Sequence, residues 1–375
     1  MTSLGQKTIA DSSQDERFDR ARHVLMDAVA ERAFPGCAYG VLADGSVVLQ
    51  GALGKFTYEE GSQIVRPETM YDIASVTKVM ATTACAMLLH QRGLLDLDTP
   101  LGELLPGFVI GREPGSRARH VKLRHLLAHN SGLPGYVEMF RTEHTPEALL
   151  RASLQMPVEA EPGTRSEYSD IGFILLGKAL EVLTRDSLAH WAGREIFDPL
   201  GLNSTRFRPE PALRSSIPPT EENAALREWR IQGEVQDENA WRLGGVAGHA
   251  GLFSSVPDVL RFAAEILVAF GKAKPAGDAP LFTRETVDVF AERQAPAGSS
   301  RALGWDTPSE ESSSGRHFSK YSIGHLGYSG CSLWIDLDAG VAVVLLTNRT
   351  WPDRSAQQIR MVRPAFHDAV REALL

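Results

Sequence analysis

Apolar residues recur three and four positions apart between Gln14 and Arg32, at Phe18, Ala21, Val24, Leu25, Ala28 and Val29, and this spacing predicts an amphipathic opening helix that covers a sheet. Cys37 to Leu42 and Val47 to Leu53 are apolar runs joined by Ala43-Asp44-Gly45-Ser46, whose Asp-Gly pair predicts a hairpin. Near the other end, Ser332 to Leu337 and Val341 to Thr347 flank Asp338-Ala339-Gly340 and predict a second hairpin, followed by a closing helix over Arg354 to Leu374. Both ends of the chain are thus expected to build one sheet, with terminal helices on one face.

Helical spacing dominates the middle, at Thr82 to Arg92, Leu123 to His129, Thr145 to Gln155, Gly172 to Leu183 and Leu188 to Ile196. Gly271 to Gly315 is rich in Pro, Gly, Ser and Ala, and Gln294 to Ser300 and Ser309 to Gly315 read as surface loops. The expected fold class is α+β. Residues 1–81 and 231–375 form a sheet domain, and residues 82–230 form an inserted, mainly helical domain.

At 375 residues and 43% hydrophobic content the chain can bury a core for two closely packed domains. The net charge of −8, with no Lys/Arg block longer than a dipeptide, excludes a phosphate-tracking surface, so nucleic acid is not an expected partner. The first twenty residues lack the apolar run of a signal peptide and no segment approaches ~18 apolar residues, so no membrane association and a cytoplasmic location are expected. Cys37, Cys85 and Cys331 lie far apart in apolar stretches and read as reduced core thiols.

The candidate chemistry begins at Ser75-Val76-Thr77-Lys78, the only Ser-x-x-Lys in the chain, which opens a helical pattern through Met80, Ala84 and Met87. Residues three apart share a helix face, so Lys78 can reach the Ser75 hydroxyl, which is too weak a nucleophile unaided. Tyr168-Ser169-Asp170 precedes another helical run. A phenol beside an ammonium can pass a proton at neutral pH, so Tyr168 is a candidate acid and base, with Asp170 either orienting Lys78 or merely capping the helix. Gly324-His325-Leu326-Gly327-Tyr328-Ser329-Gly330 precedes an apolar strand. There the amides of Ser75 and Tyr328 could form an oxyanion hole, with Gly327 letting substrate approach and His325 contacting its carbonyl or carboxylate.

Gly248-His249-Ala250-Gly251 matches the same short pattern without a strand hairpin after it, and is read as a cleft-lining loop in which His249 contacts substrate or lies buried and hydrogen-bonded. Asp237, Glu238 and Asn239 with His249 form no recognised ligand spacing, so no metal and no organic cofactor are expected.

Together these three motifs resemble those of the serine β-lactamase and penicillin-binding-protein superfamily, particularly the branch of class C β-lactamases, D,D-peptidases and related esterases. Leu123 to Leu133 and Phe197-Asp198-Pro199-Leu200-Gly201-Leu202 are similar to further family segments, and the wide motif separations are similar to the class C branch, so no deacylating glutamate is assigned. The resemblance implies an antiparallel sheet flanked by helices, an inserted all-helical domain and an active site in the cleft between them. Two departures bear on chemistry. Asp170 stands where class C enzymes carry Asn, strengthening the ammonium form of Lys78 and favouring Tyr168 as base. His325-Leu326-Gly327 stands where β-lactamases carry Lys-Thr-Gly, weakening the cation that would attract a lactam carboxylate.

The expected function is a serine hydrolase acting through an acyl-enzyme. A carboxylic ester ranks first, a D-amino-acid peptide or cell-wall fragment second and a β-lactam third, with the oligomeric state open. The segments Asp237-Glu238-Asn239 and Gly244 to Gly251 are also similar to those of family members associated with cell-wall sugar recycling. The rival from another class, a wall-peptide-binding module without turnover, would lack the nucleophile, whereas Ser75, Lys78 and Tyr168 are all present.

Overall fold

The computed structural model describes residues 15–222, 226–274 and 279–375. The predicted hairpins are its framework. The first comprises β1 (Gly36–Ala43) and β2 (Ser46–Gly54), turned by Asp44 at φ 51° and Gly45 at φ 71°, the left-handed pair that an Asp-Gly turn supplies. Between them and the second hairpin lie the short strands β3 (Tyr71–Asp72), β4 (Arg206–Phe207) and β5 (Leu252–Ser254). The chain then forms β6 (Ser322–Leu326), β7 (Ser332–Asp336) and β8 (Val341–Thr347). The main sheet is antiparallel throughout, in the order β2-β1-β8-β7-β6, which leaves β6 at an edge.

Alternation along β8 shows why its sequence is an unbroken apolar run. Val343 and Leu345 join a cluster with Leu25, Phe366 and Val370 from the two terminal helices and Phe18 from the turn before the first. Ala342, Val344 and Leu346 face the other way, into a cluster containing Val256 and Leu260. Both faces are therefore covered. The opening helix spans Asp19–Ala30, after a tight turn whose first amides are capped by Asp15, so it starts later than the predicted Gln14, which itself lies outside the described residues. The closing helix, Ile359–Glu372, also starts later than predicted, because residues 353–358 turn to bring Arg354 against Glu221.

The middle carries helices at Ala84–Gln91, Leu123–Leu127, Pro146–Gln155, Asp170–Thr184 and Leu188–Ala192, close to their predicted positions. Strand β4 also lies in this stretch and pairs with β5 from the later part of the chain. Among the helices without a counterpart in the sequence reading are Glu238–Arg242 and Arg284–Ala291. The second sits within the Pro/Gly/Ser-rich region, where Thr283 caps it and Val287 and Phe290 are buried. One apolar cluster runs from the sheet's inner face through the helices of the middle stretch. Cys37, Cys85 and Cys331 are buried and free, and among the described residues no helix is long and apolar enough to cross a membrane.

Leu345 is fully buried between the sheet and the terminal helices. Leu345→Ala is expected to lower stability by about 2–5 kcal/mol, since the transfer loss adds to the cavity left behind. Urea unfolding measures this, and a loss below about 1 kcal/mol would contradict the packing described.

Candidate active site

Strand β3 delivers the chain into a tight turn, Ala74–Val76, at the edge strand β6. Ala74 adopts φ 47°, an unfavourable conformation for a residue with a Cβ. Asp72 holds it there: Oδ1 accepts the Ala74 amide at 2.9 Å and Oδ2 accepts the Gln236 amide at 2.7 Å. Burial pushes the Asp72 carboxyl up to about 6, against these two amides, which pull it down. Ser75 follows at the turn, partly accessible, and the chain continues through a widened helical turn over Lys78–Thr83. The predicted i, i+3 contact forms, with Lys78 Nζ 3.1 Å from Ser75 Oγ.

Lys78 is completely buried, and its ammonium can be neutralised and solvated only by protein. Nζ donates to Ser75 Oγ, to Asp170 Oδ1 at 2.7 Å and to the His249 carbonyl at 3.0 Å, which uses all three of its protons. Burial disfavours the ammonium, but Asp170 and Tyr168 outweigh it and raise the Lys78 pKa above the usual lysine value. The capping role goes to Ser169, whose side chain accepts the Gly172 amide at 3.0 Å, and Asp170 at the first helical position is free to pair with Lys78.

The Tyr168 ring lies 4.8 Å from Lys78 Nζ. Burial raises its phenol pKa, while Lys78 and contacts to the Lys78 and Ser75 side chains oppose the rise. The phenol therefore keeps its proton at neutral pH. Below the ring lies His129, with centroids 4.6 Å apart, and its Nδ1 accepts the Ser169 amide at 3.0 Å. Burial holds the His129 imidazole neutral, as that acceptor role requires.

The third motif occupies β6 and the loop into β7. Gly327 lies so close to the nucleophile turn that a Cβ there would sit 2.4 Å from the Ile73 carbonyl. Ser329 Oγ donates to the Asp72 carbonyl at 2.7 Å, tying the same two segments together. Two arginines grip the loop: Arg363 donates to the carbonyls of Gly327 (2.6 Å), Cys331 (2.8 Å) and Gly330 (3.1 Å), and Arg349 to that of Tyr328 (2.8 Å). The Tyr328 amide donates to no backbone carbonyl among the described residues and stays available to a ligand. His325 is buried, with its pKa pushed well below the usual value by burial and by the charge of Lys78. Its Nδ1 lies 2.8 Å from the Leu326 carbonyl and so carries the ring proton, which leaves Nε2 an acceptor without a protein partner. This corrects the sequence reading: a neutral ring presenting a lone pair suits a substrate N–H or O–H, not a carbonyl or carboxylate.

Of the two readings offered for His249, substrate contact or a buried and hydrogen-bonded ring, the structure has the second. Its ring is 1% exposed, its Nε2 lies 2.8 Å from Asp237 Oδ1, and it is absent from the walls of the cavity described next. What it gives the site is its backbone carbonyl, the third acceptor of Lys78. Burial opposes ionisation of Asp237, yet the imidazole beside it brings its pKa down to about 2. Asp237, Glu238 and Asn239 diverge: Glu238 pairs with Arg354, and Asn239 bonds the backbone of Val137 and Phe140.

A cavity of about 660 Å³ opens over Ser75, with Tyr168, Asp170, His325, Gly327 and Tyr328 in its walls. Asp72, His129, Arg349 and Arg363 were not singled out in the sequence as positioning residues. Asp72 alone left a trace, as an Asx residue two positions before a left-handed one. Chemically, the arrangement places a buried ammonium in hydrogen-bond contact with a hydroxyl and against a phenol ring, beside an unengaged amide, the set that acyl transfer needs.

The beta-lactamase family model matches residues 21–364. The chain is similar to the N-acetylmuramyl-L-alanine amidase of Bacillus subtilis (strain 168), 29% identical over 90% of this chain and 83% of that protein. It is 30% identical, over the same shares of each chain, to a Salmonella typhi protein that bears the provisional name D-alanyl-D-alanine carboxypeptidase. Among solved structures it resembles EstCE1, a hydrolase with promiscuous acyltransferase activity, at a TM-score of 0.76 and 23% identity, covering 97% of this chain and all of that one.

Asp170 raises the pKa of both Lys78 and Tyr168. Asp170→Asn is therefore expected to lower both, so that either group sheds its proton at lower pH and the pH profile of Ser75 labelling by a fluorophosphonate moves in the acid direction. The second-order labelling rate across pH reads this. A profile that stays in place or moves to higher pH would exclude Asp170 as the residue that sets the charge.

Proposed function

The chain belongs to the beta-lactamase family, and within that family of serine hydrolases we propose that it cleaves an amide bond in a small cell-wall peptide or glycopeptide fragment through an acyl-enzyme on Ser75. The observation that carries the reading is Lys78 Nζ, held at 3.1 Å from Ser75 Oγ and 2.7 Å from Asp170. A serine placed against a buried, fully coordinated ammonium has a fixed orientation and a neighbour that stabilises its developing charge. In the first step Ser75 Oγ attacks the carbonyl carbon. Its proton passes to the oxygen of Tyr168, drawn from the minor phenolate fraction that the Lys78 ammonium supports against burial. The carbonyl oxygen takes its charge to the amides of Ser75 and Tyr328, a contribution on the order of 3 kcal/mol per donor. Tyr168 then protonates the leaving nitrogen, the C–N bond breaks, and water releases the acyl group by the same steps in reverse.

The roles follow from position. Asp170 sets the charge of Lys78, Gly327 admits the substrate between β6 and the nucleophile turn, and His325 accepts a hydrogen bond from a substrate N–H or O–H. The cavity lies in a cleft whose walls come from residues 72–75 and 235–363 on one side and 135–170 on the other. This fits the division into a sheet domain (1–81 and 231–375) and a mainly helical domain (82–230). The cavity surface is mainly apolar but carries charged side chains such as Asp237, Arg301 and Arg349 that can meet the polar groups of a peptide fragment, and the names of the two curated relatives point the same way. A carboxylic ester is the second reading, favoured by the neutral His325 in place of a fixed cation.

A panel of N-acetylmuramyl-L-alanine, D-Ala-D-Ala peptides, nitrocefin and short p-nitrophenyl esters tests the proposal. Wild-type protein is expected to hydrolyse an amide member, and Ser75→Ala to lose roughly a thousandfold or more of that turnover. A fluorophosphonate adduct mapped to Ser75 is expected alongside. Undiminished turnover by Ser75→Ala would sink the mechanism. Ser75-dependent turnover of esters alone would select the second reading.

A further inference from the structure

We propose that Arg301 is a positioning residue for the proton transfer: its guanidinium, laid against the ring of Tyr168, is the cation that makes this phenol a base for Ser75. The proposal deepens the function given above and rests on it in one respect, that Tyr168 receives the proton of Ser75.

Arg301 follows the loop from Gln294 to Ser300 and lines the same cavity as Ser75 and Tyr168, with its charged end 5.3 Å from the centre of the Tyr168 ring. The segment that carries it is pinned at several points. Asn130 Nδ2 donates to the Ala295 carbonyl at 2.6 Å, Ser299 Oγ donates to Ser166 Oγ at 3.1 Å, and Asp306 exchanges backbone hydrogen bonds of 2.8 and 2.9 Å with Gly324 of β6. On this fixed backbone the Arg301 guanidinium makes no hydrogen bond among the described residues, so its place is not explained by a donor contact. Among the described residues it is the arginine of the cavity wall that lies against Tyr168, whereas Arg349 and Arg354 lie against the ring of Tyr328.

The charges around the phenol leave Arg301 as the least neutralised cation at the ring. Lys78 Nζ lies 4.8 Å from the ring centre, but Asp170 Oδ1 sits 2.7 Å from it, and so close an opposite charge cancels much of the ammonium's field at a third group. His129 and His325, whose rings lie 4.6 and 6.0 Å from that of Tyr168, are held neutral by burial and by the charges of Arg301 and Lys78. Arg301 does face a carboxylate, Asp306 Oδ1, but at 3.8 Å, and that oxygen is shared with the Ser300 hydroxyl at 2.7 Å and the Thr307 amide at 3.1 Å. The other carboxylates of the cavity wall serve partners of their own: Asp72 holds two backbone amides, Glu138 pairs with Arg141, Asp237 with His249 and Glu238 with Arg354.

Transfer of the Ser75 proton needs a phenolate oxygen, and burial opposes forming one. A cation against an aromatic ring is favourable when the ring is neutral and more favourable when it is an anion, so Arg301 raises the phenolate fraction. It does so without competing for the proton, because a guanidinium stays protonated throughout the working range of a protein. The phenolic proton leaves to solvent through the cavity, the phenolate takes the proton of Ser75 as the Oγ–C bond forms, and Arg301 is unchanged by the cycle. With a neutral imidazole in the third motif, Arg301 supplies the second positive neighbour that the phenol has beside Lys78.

The wild type is compared with Arg301→Met, Arg301→Lys and Asp306→Asn by two measurements across pH. One is the second-order rate of fluorophosphonate labelling at Ser75. The other is the ultraviolet absorption of tyrosinate, with the Tyr168→Phe protein as the blank that isolates Tyr168. Arg301→Met is expected to slow labelling at neutral pH on the order of three- to tenfold, the worth of one cation at an aromatic ring, and to move the titration of Tyr168 to higher pH. Arg301→Lys is expected to restore most of both. Asp306→Asn removes the counter-charge but keeps the oxygen that Ser300 and Thr307 use, and is expected to move both profiles in the acid direction. A merely structural arginine would lower rate or stability and leave the Tyr168 titration in place. An unmoved titration in Arg301→Met, or no acid shift in Asp306→Asn, would overturn the proposal, and the second decides it even where Arg301→Met fails to fold. Labelling at a residue other than Ser75 would overturn the mechanism, and the tyrosinate titration would then decide separately whether Arg301 governs the phenol.

Discussion

A lysine ammonium with no access to water governs this structure. Lys78 is held by a hydroxyl three residues away, a carboxylate at the start of a helix ninety-two residues on, and a backbone carbonyl at position 249. Isolating such a charge in a protein interior costs several kcal/mol, and the cost is offset only when all three partners are in place. The requirement couples the nucleophile turn, the Asp170–Thr184 helix and the glycine-rich loop before β5. It also fixes the ionisation of the site, since Asp170 keeps the amine charged and the charged amine partly offsets the burial that raises the Tyr168 phenol.

The nucleophile turn is strained at Ala74 and is held by its surroundings. Asp72 takes the Ala74 amide, Ser329 ties the Asp72 carbonyl to the loop after β6, and Gly327 packs where no side chain fits. Strain of this kind, on the order of 1–3 kcal/mol per residue, persists where neighbours over-determine the backbone. Here the neighbours include two buried arginines whose carbonyl contacts stiffen the loop. The proposed oxyanion site thus lies on a segment held rigid from both sides.

Much of the sheet could be read from residue pattern. Asp44-Gly45 marks a left-handed turn that few other pairs supply, and Val341–Thr347 is a strand over the very residues its apolar run delimits. The short strands β3, β4 and β5 could not be found this way, because two or three residues carry no periodicity. The Arg284–Ala291 helix was hidden by the Pro, Gly and Ser around it, although its Thr283 cap and the spacing of Val287 and Phe290 were present as signals. Alternate burial in a strand and the i, i+3 geometry of a helix are local rules. Ser75 meeting Lys78 is one of them.

What the sequence by itself determined was the identity and order of the reactive groups, and the terminal strands that carry part of their frame, because these depend on neighbours along the chain. Tertiary structure alone decided their electrostatic state. His325 became neutral, with Nε2 an acceptor, through the Leu326 carbonyl and burial, His249 turned its ring to Asp237 and its carbonyl to Lys78, and Arg349 and Arg363 turned to loop carbonyls. Charge and hydrogen-bond direction depend on what lies across space within a few ångströms. No spacing along a chain encodes that until the chain has folded.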